Sequence, residues 1–181
     1  MILSDSARQF ILHWGEMGTR WGVNRTIAQV HALLYLSAEP LTAEDIADTL
    51  SVARSNVSTS LKELQNWDLV QMDGRIGDRR DYFQTSADVW TLFMTVVEQR
   101  VEREIVPTLN MLRRCRAEAQ GERPAQRIVA ARITAMEVFL EELLGWYAQM
   151  KKLPLGTLRS LVSIGSGITR MLPKARRRRL D

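Results

Sequence analysis

Two groups of side chains in this 181-residue sequence have the types and spacing to hydrogen-bond to the edges and phosphates of a nucleic-acid groove. The first is Arg54, Ser55, Ser58, Thr59 and Lys62, in a run whose Val57, Leu61 and Leu64 recur at helical spacing. With Val57 at the centre of the buried face, positions 55, 59 and 62 point most directly outward, with 58 beside them. None is acidic and three are small, so such a helix can approach a groove closely. Arg54 falls in the first turn, where a recognition helix meets base edges. The second group is Arg75, Arg79 and Arg80, concentrated in Arg75-Ile76-Gly77-Asp78-Arg79-Arg80 between two short strands. An arginine on a narrow hairpin suits the negative potential of a minor groove. Hydroxyl residues also decorate solvated helix faces, and surface arginines also form ion pairs worth little. The helix face and the hairpin together point to a groove.

The elements that must position these groups follow from periodicity. Residues 4–20 carry Phe10, Ile11, Trp14 and Met17 as a helical stripe, and residues 26–38 repeat the pattern until Pro40 ends it. Thr42 can cap a short third helix, with Glu44 and Asp45 at its positive end and Ile46, Ala47 and Leu50 inside. A fourth helix is expected over residues 54–66. The period then changes, and Leu69-Val70-Gln71-Met72 and Asp81-Tyr82-Phe83-Gln84-Thr85 read as two strands with turn residues between them. Helix resumes from Ser86, with a kink expected at Pro107 and a turn over residues 121–124. Val129, Ile133, Met136, Leu140, Leu143 and Tyr147 then step by four and three as a heptad seam suited to dimerisation. Pro154 separates a last helix over residues 155–172.

Three helices and a hairpin in this order predict a winged helix-turn-helix. The fold class is mainly α with a small β-hairpin wing and C-terminal dimerisation helices. The expected domains are N-terminal helices with the winged DNA-binding module over 1–86 (motif 42–66, wing 69–85), a helical dimerisation and effector region over 87–172, and a basic tail over 173–181.

Composition narrows the function. With 45% hydrophobic and 25% charged residues the chain is neither wholly disordered nor collagen-like. No apolar run reaches the roughly 18 residues of a membrane span, and the first residues lack the order of a secretory signal. One cysteine and two histidines argue against a disulfide framework and a zinc site, so no metal or cofactor is expected. A cytoplasmic protein is the simplest reading, with no membrane partner. No acid, base and nucleophile converge, so an enzyme is not expected. The net charge of +4 resides in the tail, where residues 174–181 hold five basic side chains and one acidic. Residues 42–86 hold five basic and eight acidic side chains, so this module should bind DNA weakly as a monomer, and a dimer presenting two recognition helices would compensate.

The segment LTAEDIADTLSVARSNVSTSLKELQNWDLVQMDGRIGDRRDYFQTS resembles the MarR superfamily of bacterial regulators, specifically its GbsR-like branch. The resemblance rests on Trp67-Asp68-Leu69-Val70 after the recognition helix, on Gly77-Asp78-Arg79 in the wing, and on Asp81-Tyr82 beyond it. FILHWGEMGTRWGVNRTIAQVHALLYLS is similar to the branch's opening helices. The resemblance implies a homodimeric, winged-helix repressor or activator of transcription that binds double-stranded DNA. It puts Arg54, Ser55, Ser58, Thr59 and Lys62 on the recognition helix and Arg79 and Arg80 on the wing. Ser51 and Ala53 depart from the pattern, standing where a glycine and a Ser or Thr cap are common. The recognition helix is therefore expected to start less firmly capped, by roughly 1 kcal/mol.

Some relatives in that branch respond to choline or related osmolytes. An aromatic cage for a small organic cation such as choline or betaine could be drawn from Trp14, Trp21, Trp90 and Phe93, with Glu16 nearby. Aromatics at helical spacing are also ordinary core residues. Cys115 lies among Arg113, Arg114 and Arg116, a setting that favours a thiolate and a redox role. The terminal KARRRR reads as a phosphate-contacting arm, a membrane-surface element or a solvated tail. A protein–protein adaptor without specific DNA binding is the alternative function, although an adaptor has no need of three arginines on its wing.

Overall fold

The computed structural model of the chain describes residues 2–119 and 124–171. They form eight α-helices and three short strands, and the chain divides into two compact units, Met1–Gln99 and Arg100–Asp181. The fold class is the expected one, a mainly helical winged helix.

In the first unit, α1 (Asp5–Arg20) begins where the Ser4 hydroxyl accepts from the Ala7 amide at 3.2 Å, and α2 (Arg25–Leu36) begins where Asn24 accepts from Thr26 at 2.8 Å. The two helices approach closely at glycines. A Cβ built on Gly18 would stand 2.6 Å from the Ala28 Cβ. α2 forms the centre of the unit, with Val30, Leu33 and Leu34 buried among Ile11, Ile46, Val57, Leu61 and Leu64. It stops at Leu36, short of Pro40, with Ser37 as its cap.

Thr42 opens α3 (Ala43–Leu50) through a full capping box. The Asp45 amide donates to the Thr42 hydroxyl at 3.2 Å, and the Thr42 amide donates to the Asp45 carboxylate at 3.0 Å. Hydrogen bonds from the Thr42 hydroxyl and amide hold the Asp45 carboxyl below its ordinary pKa. The same residue ends a strand that the sequence reading lacked. β1 (Leu41–Thr42) joins β2 (Gln71–Gly74) and β3 (Asp81–Gln84) in an antiparallel sheet of order β1-β3-β2, with Thr42 opposite Tyr82. The wing is thus a hairpin plus one short strand, because two residues before a helix cap carry no periodicity.

α4 (Arg54–Asn66) has the expected bounds. The first wing strand does not. Leu69 and Val70 are core residues, and their amides both donate to the Leu64 carbonyl, closing the end of α4 before the strand starts at Gln71. Thr85 lies just beyond β3 and donates its hydroxyl to the Leu69 carbonyl at 2.6 Å.

α5 (Val89–Arg100) runs into a π-helical turn, Val101–Ile105, and then α6 (Val106–Glu118). The kink expected at Pro107 takes this form. Proline cannot donate to the preceding turn and crowds it, and the Val106 amide donates five residues back to Val101 instead of four. In the second unit α6 packs against α7 (Pro124–Met150), followed by α8 (Leu155–Met171). Leu109, Leu140 and Leu158 are buried there, and the buried Glu137 lies 3.0 Å from the Arg116 Nε. The turn residues before Pro124, Leu172 and the 173–181 tail lie outside the described residues. Among the described residues no helix is long and apolar enough to cross a membrane, and no His, Cys, Asp and Glu cluster is arranged to hold a metal.

Candidate nucleic-acid interface

α4 presents the face its sequence implies. Val57, Ser60, Leu61 and Leu64 are buried, while Arg54, Ser55, Ser58, Thr59 and Lys62 are exposed. The Thr59 hydroxyl donates to the Ser55 carbonyl at 3.0 Å, which leaves its lone pairs outward as an acceptor. Ala53 at the N-cap makes no side-chain cap, so the first amides of α4 point outward unsatisfied by any protein side chain. Those amides and the positive end of the helix dipole favour an anion such as a phosphate. Ser51, ahead of them, holds a left-handed φ of 55° at the position where a glycine is common.

The wing is more ordered than a solvated loop. The turn at its tip is closed by the Asp78 amide donating to the Arg75 carbonyl at 3.0 Å, with Gly77 at φ 86°. The Asp78 carboxylate accepts from the Arg80 Nε at 3.0 Å and its terminal nitrogen at 2.7 Å, and from the Tyr82 hydroxyl at 2.8 Å. The hydrogen bonds from Arg80, with the one from Tyr82, hold the Asp78 carboxyl far below the usual carboxylate range. The same Asp78 contact raises the Arg80 pKa and the Tyr82 pKa. The Arg75 guanidinium lies 4.0 Å above the Tyr82 ring, and that of Arg80 at 5.5 Å. Arg79, by contrast, pairs with no acid among the described residues.

Between α4 and the sheet lies a groove of about 390 Å³. Arg54, Ser58 and Lys62 from the helix, and Arg79 and Arg80 from the wing, line it together with Glu44 and Asp81. Both predicted groups thus meet at one groove, although Ser55, Thr59 and Arg75 are not among its lining residues. Glu44, which the sequence reading took only as a charge at a helix start, reaches Arg54 at 2.7 Å. Tyr82, noted only as part of a motif, is the residue on which two of the three wing arginines, Arg75 and Arg80, are organised.

The remaining predicted residues lie elsewhere. Trp14 stacks on Phe10 at 5.3 Å and packs against the core, Trp90 meets Phe93 edge-on at 6.3 Å, and Trp21 and Glu16 are exposed. Cys115 is half-buried with its Sγ 3.5 Å from the Met111 Sδ. Arg113 and Arg116, its neighbours in sequence, reach across to Glu141 and Glu137 on α7. Of the heptad seam, Leu140 is buried and Ile133 and Tyr147 half-buried, while Val129, Met136 and Leu143 are exposed.

Comparison with known proteins agrees with this fold. A family model described as the MarR family matches residues 21–81. The HTH-type transcriptional repressor GbsR of Bacillus subtilis (strain 168) is 22% identical over 100 residues, 55% of each chain, so this chain spans about half the length of the curated relatives it matches. A crystal structure of a transcriptional regulator superposes on 80% of this chain and 99% of its own, at 20% identity and a TM-score of 0.56, which shows a shared fold. The likeness to the MarR family thus lies in residues 21–81, the segment that builds α2, the α3–α4 pair and most of the wing.

Proposed function

We propose that this chain is a sequence-specific DNA-binding transcriptional repressor that acts as a homodimer at the chromosome, in the cytoplasm, without catalytic activity. The observation that carries the reading is the groove where the uncapped, small-residue face of α4 meets a wing that brings Arg79 and the Asp78-bound Arg80 to it. The name of the relative GbsR supports both the regulatory role and its direction. Dimerisation is supported by α7 and α8, where Ile128, Val129, Met136, Phe139, Trp146, Val162 and Ile164 are all more than half exposed in a single chain. Apolar surface of that extent marks an interface. Two recognition helices in one dimer also answer the weak charge balance of a single module.

The test is fluorescence anisotropy with the duplex upstream of the chain's own gene and a scrambled duplex of equal length, near physiological salt. Tight binding to the first alone, lost in Arg79→Ala, is the expected result. No binding to either favours the adaptor reading. Sedimentation equilibrium of Val129→Glu and Leu143→Glu should give monomers where the parent gives a dimer.

A ligand response to a small organic cation such as choline or betaine belongs to the same proposal, with Trp14, Glu16, Trp21, Trp90 and Phe93 as the residues to test. Isothermal titration with choline and glycine betaine checks it, and no heat at millimolar ligand removes it. For Cys115, unchanged DNA binding after peroxide would remove a redox role.

A further inference from the structure

The wing tip carries one apolar side chain, and it is held outward. Ile76 is fully exposed at the second position of the tip turn, between Arg75 and Gly77. A lone exposed isoleucine on an ordinary surface needs no explanation. This one stands on a scaffold that keeps it from folding back. The turn is closed by the Asp78 amide, Gly77 takes the positive φ that the turn requires, and Asp78 is clamped by Arg80 and Tyr82. Arg75, the flanking residue, is drawn aside onto the Tyr82 ring. The tip therefore presents an isoleucine within a segment, residues 75–80, that carries three arginines and one aspartate.

We propose that Ile76 is a DNA-contacting residue in its own right, an apolar probe that seats against the deoxyribose faces of a minor groove while the neighbouring arginines meet the phosphates. The inference rests on the reading of this chain as a DNA-binding protein and adds to it a contact of a different chemical kind. A minor groove is walled by sugars, whose carbon faces accept an aliphatic side chain, and is rimmed by phosphates that attract the surrounding guanidiniums. Burying an isoleucine there releases no counterions. Its contribution to affinity is therefore independent of salt, whereas each arginine–phosphate contact is not.

That difference is the test. Duplexes of about 30 base pairs are recovered by the full chain from a randomised pool. The recovered duplex, fluorescein-labelled, is then titrated by anisotropy at several KCl concentrations with the parent, Ile76→Ser, Ile76→Leu and Arg79→Ala. The expected result is a loss of roughly tenfold for Ile76→Ser with an unchanged salt slope, and recovery in Ile76→Leu. Arg79→Ala should lose affinity with a slope smaller by about one. Thermal melts of Ile76→Ser should match the parent, since the side chain packs on nothing. The inference is overturned if Ile76→Ser binds as the parent does, which would leave the tip to a protein partner, or if its loss comes with a changed slope. If the parent recovers no duplex, the DNA reading itself falls and takes this inference with it. Parent binding without an Ile76 effect sinks the inference alone.

Discussion

The guanidinium of Arg54, in the first turn of α4, lies 2.7 Å from the carboxylate of Glu44, in the first turn of α3. Both side chains are more than half exposed, so the pair adds little to stability. Under the proposed function its effect falls on binding, because a duplex phosphate that reaches Arg54 would displace Glu44 or share Arg54 with it. Glu44→Gln is expected to raise duplex affinity about threefold and to steepen the salt slope by up to about one, with no change in melting temperature. Titration across KCl concentrations checks this, and identical curves would mean that Arg54 meets no phosphate.

The turn into α4 holds two residues that each cost stability, one through its backbone and one through a missing cap. Ser51 takes a left-handed φ, which costs a non-glycine residue roughly 1 kcal/mol, and Ala53 leaves the helix start without a side-chain acceptor. Ser51→Gly and Ala53→Ser should each stabilise the fold by about 1 kcal/mol in denaturant titrations. The two substitutions should also differ in function. A serine at 53 would accept from the amides that the proposed function turns toward a phosphate, so Ala53→Ser should weaken DNA binding slightly while Ser51→Gly should not.

His31 is buried in the core unit, and burial lowers its pKa from 6.5 to about 4. Its Nε2 lies 3.4 Å from the Thr85 hydroxyl, whose own hydrogen is spent on the Leu69 carbonyl, so the imidazole is the donor of that contact. Between pH 6.5 and 4 the unfolded chain binds a proton that the folded chain refuses. Stability is therefore complete above pH 6.5 and falls as the pH drops, by on the order of 3 kcal/mol across the window. Urea unfolding of the parent and His31→Gln at pH 7 and pH 5 should show a smaller loss in the variant. Parallel losses would mean that the imidazole is hydrated in the folded state.

Gly18 is where α1 and α2 come closest. Alanine gains helix propensity of about 1 kcal/mol over glycine, but its methyl would meet Ala28 at 2.6 Å across two helix backbones. The clash should prevail, and Gly18→Ala should lose about 1–2 kcal/mol. Gly15→Ala meets the bendable side chains of Gln29 and Arg25 and should be milder.

What the sequence made legible follows from the range of the forces involved. α4 is legible because Val57, Leu61 and Leu64 recur at helical spacing and fix its phase. The Thr42 cap was readable because its partner, Asp45, is three residues away. Leu69 and Val70 were read as strand because apolar β-formers look alike whether they pair with a strand or close a helix; only the Leu64 carbonyl decides between them. The Arg54–Glu44 contact and the stacking of Arg75 on Tyr82 depend on turns that bring separate elements together, and no local pattern records them. The π-helical turn before Pro107 is a way of absorbing a proline that periodicity shows only as a break.

Thr42 serves two elements at once, pairing with Tyr82 across the sheet and capping α3. A bolt shared by two parts makes the distance between them a property of the frame. Because α3 packs on α4, the offset between α4 and the hairpin is thus inherited as a fixed gauge. Descendants of this chain can exchange the exposed side chains at 54–62 and 75–80, which under the proposed function would alter what is read at each end. They cannot alter the spacing between those two ends without first unfastening Thr42.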